Sequence, residues 1–203
     1  MTVRVAINGF GRIGRNVLRA IIENNRTDIS VIAINDLGPV ETNAHLLKFD
    51  SIHGKFPNKI DISEDSIDVG TGPIRVTAMK NPEELSWNDI DIALECTGIF
   101  NKKEAAGKHL KNGSKRVLVS APCTNADKTI VFGVNHKSLT KDDLIVSNAS
   151  CTTNCLAPVV KVLHDKFEIK RGFMTTIHSY TGDQPTLDTM HSDLYRSRAA
   201  AMN

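Results

Sequence analysis

Short apolar runs alternate with amphipathic segments through the first 150 residues of the chain. Runs rich in Val, Ile and Leu predict buried strands, while apolar residues spaced three and four apart predict helices. Strands that alternate with helices through short turns favour an α/β fold with a mostly parallel sheet. We predict strands over residues 3–8, 29–34, 73–79, 90–95, 116–120, 129–134 and 144–147, short strands and turns elsewhere in 55–80, and helices over 13–22, 42–50 and 102–110.

The pattern changes near residue 150. Apolar side chains recur at helical spacing over residues 151–167, which predicts a long helix, and residues 172–180 alternate in a way that predicts a strand with one buried face. We therefore predict a first domain over residues 1–150 and the beginning of an α+β domain over residues 151–203. The apolar face of the long helix comprises Leu156, Val159, Val160 and Leu163.

A glycine-rich turn follows the first predicted strand directly, with Gly-Phe-Gly-Arg-Ile-Gly at residues 9–14. In such a motif the first glycine permits a tight turn, the second lets a pyrophosphate approach the backbone, and the third lets helix and strand pack closely. Asp36 ends the second strand, where an acidic residue can hydrogen-bond an adenine ribose. This context favours a Rossmann-type dinucleotide-binding domain over a plain glycine turn beside a solvent-facing aspartate.

Cys151 stands at the predicted start of the long helix, with Ser150 as the N-cap. Free backbone N–H groups and the helix dipole favour a thiolate there, so the position suits a nucleophile with a lowered pKa. The alternative is a buried, inert cysteine. Cys155 lies one turn further on, but the pair lacks a usual zinc spacing. We interpret Cys155 as a core thiol or as a thiol that supports the site from behind the nucleophile. Cys96 and Cys123 have no partner pattern and are interpreted as structural.

Composition and charge narrow the function classes. The chain has 203 residues, 40% hydrophobic and 24% charged residues, and a net charge of +2, which argues against dedicated nucleic-acid binding. No apolar run approaches the roughly 20 residues that span a bilayer, and the N-terminus carries no signal-peptide pattern. Four cysteines do not form a disulfide framework in a chain of this size, so we expect a reducing, cytoplasmic setting.

Three motifs resemble phosphorylating glyceraldehyde-3-phosphate dehydrogenase of the bacterial type. They are Val-Ala-Ile-Asn-Gly-Phe-Gly-Arg-Ile-Gly-Arg at residues 5–15, Ala-Ser-Cys-Thr-Thr-Asn-Cys at 149–155 and Thr-Thr-Ile-His-Ser-Tyr-Thr-Gly-Asp-Gln at 175–184. The resemblance extends over the whole chain and keeps the order of the motifs. Because that family continues well beyond residue 203, the chain resembles its N-terminal portion, with a truncated catalytic domain.

The resemblance implies a set of site residues. Cys151 would be the nucleophile and His178 the general base. Glyceraldehyde 3-phosphate and inorganic phosphate would be the substrates, and NAD the cofactor. The cofactor-binding residues implied are Gly9, Phe10, Gly11, Arg12, Ile13, Gly14, Asp36, Lys80, Thr97, Gly98 and Ser120. The residues implied for binding substrate or phosphate are Ser150, Cys151, Thr152, Thr181 and Arg196.

Several alternatives stay open at this stage. Asp36 favours NAD, but Thr189 and Met190 replace a Leu-Pro pair that many NAD-using members carry, which leaves NADP open. An erythrose-4-phosphate dehydrogenase shares the thiol and dinucleotide motifs, and a catalytically incompetent NAD-binding fragment is a third interpretation. The resemblance also implies a homotetramer in which the loop after residue 180 reaches a neighbouring subunit's cofactor site. We expect neither a metal site nor a nucleic-acid or membrane partner.

Overall fold

A nine-stranded, mostly parallel sheet organises the residues up to Asp165 in the computed structural model, which describes residues 2–202. The strands are β1 (Val3–Asn8), β2 (Ile29–Asn35), β3 (Phe49–Asp50), β4 (Gly54–Lys55), β5 (Asp61–Ile62), β6 (Ser66–Asp68), β7 (Pro73–Thr77), β8 (Ile92–Glu95), β9 (Arg116–Val119), β10 (Lys128–Thr129) and β11 (Ile145–Ser147). Their order in the sheet is β10-β11-β9-β8-β1-β2-β7-β6-β5, and only the pairs β5–β6 and β6–β7 of this sheet are antiparallel in the described residues. A separate antiparallel pair joins β3 and β4.

Helices connect the strands and end in a long helix that begins at Cys151. The residues from Lys166 onward form a second compact unit, in which residues 168–202 contain no helix or strand. No helix in the described part of the chain is long and apolar enough to cross a membrane. The helices are α1 (Arg12–Glu23), α2 (Val40–Lys48), α3 (Lys103–Ala106), α4 (Lys108–Lys111) and α5 (Cys151–Phe167), with single 3-10 turns at Pro82–Glu84 and His136–Ser138.

The two faces of the sheet are packed differently. One face carries the larger core, in which Ile7, Phe10 and Ile34 are fully buried. The other face carries small side chains, Ala6, Ala33 and Ala93, which are covered by a loop that contains Trp87. Burial of apolar surface contributes roughly 25 cal/mol per Å², so both layers stabilise the sheet. The alternation of strands and helices thus gives the predicted Rossmann-type α/β fold.

Most predicted elements form, and several have different bounds. Residues 49–50 belong to β3 and not to the end of a helix. Of the predicted strand 129–134 only Thr129 pairs with a neighbour, as part of β10 (Lys128–Thr129). The predicted helix over residues 102–110 is interrupted at Gly107. There the N–H of Leu110 bonds to the Gly107 carbonyl three residues back, so the α-helical bonding pattern is broken.

The predicted strand over residues 172–180 is wrong for this chain. Residues 168–180 have no regular secondary structure, and the side chains of Phe173 and Ile177 are fully exposed. A strand needs a neighbouring strand to satisfy its backbone groups and a surface that covers its apolar face. The alternating sequence is present, but the described residues supply neither requirement within the second unit.

Candidate active site

The glycine-rich turn connects β1 to α1 at the carboxyl edge of the sheet. Gly9 has a φ of +89°, and a Cβ built on it would lie 2.7 Å from the backbone nitrogen of Thr97. A Cβ on Gly14 would lie 2.2 Å from the carbonyl oxygen of Gly9. Open space surrounds Gly11, where a Cβ would meet nothing within 4 Å. The turn therefore requires the two outer glycines for packing and leaves the middle one accessible to a ligand.

The other residues of the turn take different positions. Phe10 is fully buried in the core, so that only its backbone can meet a ligand. The side chain of Ile13 is half exposed. The guanidinium of Arg12 donates to both carboxylate oxygens of Asp50, at 2.9 and 3.3 Å. The backbone N–H groups at the start of α1 thus remain the groups of this turn best suited to a phosphate.

Asp36 lies beside the glycine-rich turn at the end of β2. Its carboxylate accepts hydrogen bonds from the backbone N–H of Phe10 at 2.8 Å and of Gly38 at 2.9 Å. The side chain of Asn43 donates to the same carboxylate at 3.4 Å. The carboxylate is therefore fixed beside the pocket, at the position that sequence reasoning assigned to the ribose.

A cavity of about 500 Å³ opens at this edge of the sheet. Five of the predicted cofactor residues line it: Gly9, Gly11, Asp36, Lys80 and Thr97. Its lining also contains apolar side chains that sequence reasoning did not assign, Leu37, Met79, Ile99 and Phe100. Gly98, which is exposed, follows Thr97 along the chain, and Ser120 follows β9, the strand next to β8. The cavity combines a polar wall with apolar surface large enough for a planar ring.

A row of polar side chains lies at the base of the cavity, at the carboxyl ends of four neighbouring strands, and two of them, Asn8 and Asn35, line it. Asn8 pairs with Glu95 on one side and with Asn35 on the other, and Asn35 pairs with Thr77. All four are hydrogen-bonded to their neighbours in the row. Sequence reasoning missed these residues, and the available signal was a polar residue at the end of each apolar run.

Cys151 is the first residue of α5 and is exposed. The Oγ of Ser150 accepts a hydrogen bond from the backbone N–H of Thr153 at 3.0 Å, so the predicted N-cap forms. Ser150 and Thr152 flank the thiol at the same helix end. The arrangement places Cys151 beside the positive end of the helix dipole, together with hydroxyl groups that can bind an oxyanion.

The turn before this helix is conformationally constrained. Ala149 is buried and has a φ of +57°, a left-handed conformation that is unfavourable for alanine by about 1–2 kcal/mol. Its N–H lies 3.2 Å from the Oγ of the buried Ser147. The side chain of Asn154 donates to the carbonyl of Asn148 at 2.6 Å and to that of Ser150 at 2.9 Å. These bonds fix how α5 leaves the strand and hence where the backbone of Cys151 lies.

The four cysteines differ in their surroundings. Burial raises the pKa of Cys96 to about 11, although a hydrogen bond with Ser120 acts in the opposite direction. Burial also raises the pKa of Cys123. Cys151 and Cys155 are both exposed, which corrects the interpretation of Cys155 as a core thiol in this chain. Within residues 2–202, no group of three or more His, Cys, Asp or Glu side chains could hold a metal ion.

The second unit carries the remaining predicted site residues. Asp183 accepts hydrogen bonds from Thr181 and from Arg196, so it joins two residues that were predicted to bind phosphate. The hydrogen bond from Thr181, together with the charge of Arg196, lowers the pKa of Asp183. His178 is exposed in this unit, with Nδ1 2.5 Å from the carbonyl oxygen of Ser179. Cys151 belongs to the first unit and His178 to the second.

Two family models match residue ranges that include nearly all of the predicted site residues. A family model for the glyceraldehyde 3-phosphate dehydrogenase NAD binding domain matches residues 3–103, and one for the C-terminal domain matches residues 150–203. The chain is similar to glyceraldehyde-3-phosphate dehydrogenases from Cereibacter sphaeroides (73% identity over 203 residues), Xanthobacter flavus (69% over 205) and Geobacillus stearothermophilus (54% over 204). The alignments cover 100%, 100% and 99% of this chain. It spans 61%, 61% and 60% of the lengths of these relatives.

Proposed function

The chain belongs to the glyceraldehyde-3-phosphate dehydrogenase family, and on this premise we propose that its protein oxidises and phosphorylates D-glyceraldehyde 3-phosphate to 1,3-bisphosphoglycerate. The observation that carries the proposal is the position of Cys151. An exposed thiol starts a capped helix in the same compact unit as the dinucleotide pocket. The reaction needs both a nucleophile and an adjoining site for the hydride acceptor.

The residues of the pocket fit NAD. The open backbone at Gly11 can approach a pyrophosphate, Asp36 can accept hydrogen bonds from a ribose diol, and the apolar lining can hold an adenine ring. When bound, NAD supplies a hydride acceptor. The carboxylate of Asp36 opposes the 2′-phosphate of NADP by its charge, which favours NAD. We propose cofactor binding for the other predicted residues as well. They are Phe10, Arg12, Ile13, Gly14, Lys80, Thr97, Gly98 and Ser120.

In the proposed reaction the Cys151 thiolate attacks the aldehyde carbon and forms a hemithioacetal. His178 accepts the hydroxyl proton as general base while the carbon loses a hydride, and a thioester on Cys151 results. Inorganic phosphate attacks the thioester carbonyl, the C–S bond breaks, and the thiolate returns. The N–H of Cys151 and the ring of His178 stabilise the oxyanion that develops, which is usually the largest catalytic term.

Hydroxyl and guanidinium groups bind the phosphates in this proposal. Ser150 and Thr152 stand beside the nucleophile, whereas Thr181 and Arg196 form a second group that Asp183 holds together. Substrate binding would exchange the bonds to Asp183 for bonds to phosphate oxygens, which suit a guanidinium well. This arrangement supports one phosphate site near the thiol and one in the second unit.

The proposal extends to domain organisation, assembly and location. It places the cofactor domain over residues 1–150 and the beginning of the catalytic domain at residue 151, as the matched model from residue 150 supports. It includes a homotetramer that acts in glycolysis in the cytoplasm. A reducing compartment suits this proposal, since a catalytic thiol must stay reduced.

Trapping of the thioester tests the proposal directly. With NAD and glyceraldehyde 3-phosphate but no inorganic phosphate, the acyl group should accumulate on the peptide that contains Cys151, and added phosphate should release it. Cys155→Ser is the matched control, because it removes the neighbouring exposed thiol and should acylate normally. Acylation of another residue, or no acylation in a polypeptide that carries a complete catalytic domain, would contradict the mechanism. A higher kcat/KM for erythrose 4-phosphate than for glyceraldehyde 3-phosphate would instead favour the alternative substrate.

A further inference from the structure

A buried pair of titratable side chains lies beneath the dinucleotide pocket and has no role in the proposed chemistry. Glu95 is 1% exposed and His109 is fully buried, and the His109 Nε2 lies 2.9 Å from the Glu95 Oε2. The imidazole also stacks on Trp87, with ring centroids 5.4 Å apart and an interplanar angle of 8°. Buried charged groups are costly unless their hydrogen-bonding capacity is met, so the partners of this pair are informative.

The carboxylate of Glu95 is surrounded by donors. Its Oε1 accepts from the backbone N–H and from the hydroxyl of Thr97, and its Oε2 accepts from the side chain of Asn8 at 2.7 Å. The Asn112 amide group lies 3.5 Å from the His109 Nδ1, while its oxygen accepts from Ser114. Because an ionised carboxylate can only accept, we assign the ring proton to Nε2, which donates it to Glu95 at 2.9 Å. The side-chain amide of Asn8 also lies 3.5 Å from Nε2, but its donor is directed to the Glu95 carboxylate.

These donors connect Glu95 to both walls of the pocket. Thr97, which lines one wall, is held directly by the carboxylate. On the other side, the Oδ1 of Asn8 accepts from Asn35 at 2.8 Å, and Asn35 in turn bonds both the N–H and the carbonyl of Met79 at 2.8 Å. Met79 lines the opposite side of the same cavity. One buried carboxylate therefore connects, through hydrogen bonds, two residues that line the cavity, Thr97 and Met79.

We propose that Glu95 and His109 are positioning residues for the dinucleotide. Glu95 sets the separation of Thr97 from Met79, and His109 holds the carboxylate in the rotamer that does so. The identity of the ligand, NAD, rests on the proposed function. A simple packing role explains the arrangement less well, because the adjacent layer around Ala33 and Trp87 is apolar and well-packed apolar residues can replace a buried polar pair without loss of stability.

The test compares NAD binding in three proteins by calorimetric titration, well below their melting temperatures. Glu95→Gln should raise the Kd for NAD by about tenfold or more, since the amide group presents a donor where four donors already converge. Asp143→Asn is the matched control, because Asp143 is a buried carboxylate that accepts only from Thr140 in the described residues. It should change the Kd by less than about twofold.

A second pair of variants keeps the test decisive if Glu95→Gln fails to fold. His109→Gln retains an N–H donor and should bind NAD nearly as tightly as the parent, whereas His109→Met fills similar volume without a donor and should lose about tenfold. Fluorescence of Trp87, the single tryptophan, reports whether the packing survives. If the parent binds no NAD, the proposed function fails. If the parent binds NAD and the Kd values of both Glu95→Gln and His109→Met stay within about twofold of the parent's, the positioning role is wrong. It is also wrong if Asp143→Asn weakens NAD binding as much as Glu95→Gln does.

Discussion

The carboxylate of Asp36 accepts a hydrogen bond from the backbone N–H of Phe10 at 2.8 Å, which ties the end of β2 to the glycine-rich turn after β1. The same carboxylate accepts from Gly38 at 2.9 Å. Asp36 thus has a structural partner on each side as well as a predicted ribose ligand. Removal of its side chain should affect the shape of the turn and the choice of cofactor together.

Asp36→Ala should weaken NAD binding by about tenfold or more and weaken NADP binding less, so that the ratio of the two Kd values shifts toward NADP. The loss for NADP is not zero, because Phe10 also loses its acceptor. Asn43→Ala is the control: it removes one 3.4 Å contact with the carboxylate but keeps the charge, and its ratio should stay near the parent's. An unchanged ratio in Asp36→Ala would count against the ribose contact.

Two glycines of the turn give a matched pair of substitutions. Gly14→Ala places a methyl group 2.2 Å from the Gly9 carbonyl oxygen, so we expect a loss of several kcal/mol of unfolding free energy or failure to fold. Gly11→Ala meets nothing within 4 Å, so its unfolding free energy should change by about 1 kcal/mol or less. NAD binding should nevertheless weaken in Gly11→Ala, because the methyl group occupies the space of the phosphates. Urea unfolding and NAD titration of both variants measure these effects, and equal stability of the two would contradict the packing argument.

Sequence patterns predicted the glycine-rich turn, Asp36 and the full length of α5, because each depends on local propensity and on contacts close in sequence. The polar row at the base of the pocket was missed because it forms only when four strands come into register. Residues such as Asn8 and Glu95 look like ordinary strand ends in sequence, yet both are buried. The strand predicted over residues 172–180 failed for a related reason, since alternation cannot supply the neighbouring strand that pairing requires.

The surroundings of the four cysteines predict very different reactivity. Cys151 should react with iodoacetamide at neutral pH faster than Cys155, because both are exposed but only Cys151 stands at the N-terminus of the helix. Cys96 and Cys123 should react slowest, since burial shields them and raises the pKa of each thiol. Mass-spectrometric labelling over time gives the four rates, with Cys151→Ser as control for peptide assignment. Equal rates at Cys151 and Cys155 would contradict the activation of the nucleophile.

Asp127 predicts a pH-dependent contribution to stability. Its carboxylate bonds Lys103 and the backbone N–H groups of Leu144 and Ile145, and these bonds, the one to Lys103 foremost, lower its pKa in the folded state. The contribution is complete above its ordinary pKa of 3.8 and is lost as the pH falls below that value. Asp127→Asn should therefore destabilise the protein at pH 7, and its difference from the parent should shrink below about pH 4.

Urea unfolding at several pH values measures this difference. Asp65→Asn is the control, because Asp65 is an exposed carboxylate, and its difference from the parent should be small at every pH. A difference between Asp127→Asn and the parent that persisted unchanged down to pH 3 would show that the ionised carboxylate of Asp127 is not the cause.

The apolar face of α5 bears on what the 203-residue polypeptide can do by itself. Leu156, Val159, Val160 and Leu163 are 37%, 56%, 40% and 42% exposed, so the described residues leave much of the apolar face of this helix accessible. An apolar patch of this kind favours association or aggregation. The dinucleotide pocket, in contrast, is lined entirely by residues of the first compact unit. NAD binding should therefore depend little on the rest of the family's catalytic domain, whereas catalysis should depend on it strongly.

We expect the purified 203-residue polypeptide to bind NAD weakly and to have a kcat/KM for glyceraldehyde 3-phosphate at least about 10²-fold below that of a full-length relative, because misplacement of a reacting group by about 1 Å is enough for such a loss. The assay follows reduction of NAD with the enzyme from Cereibacter sphaeroides as the reference. The Cys151→Ser polypeptide, prepared in parallel, measures contaminating host enzyme. NAD binding without turnover would fit a dinucleotide pocket that forms within the first compact unit and a reaction that needs the rest of the catalytic domain. Turnover that matched the reference and vanished in Cys151→Ser would show that these residues suffice for catalysis, and that an uncovered α5 does not displace the thiol.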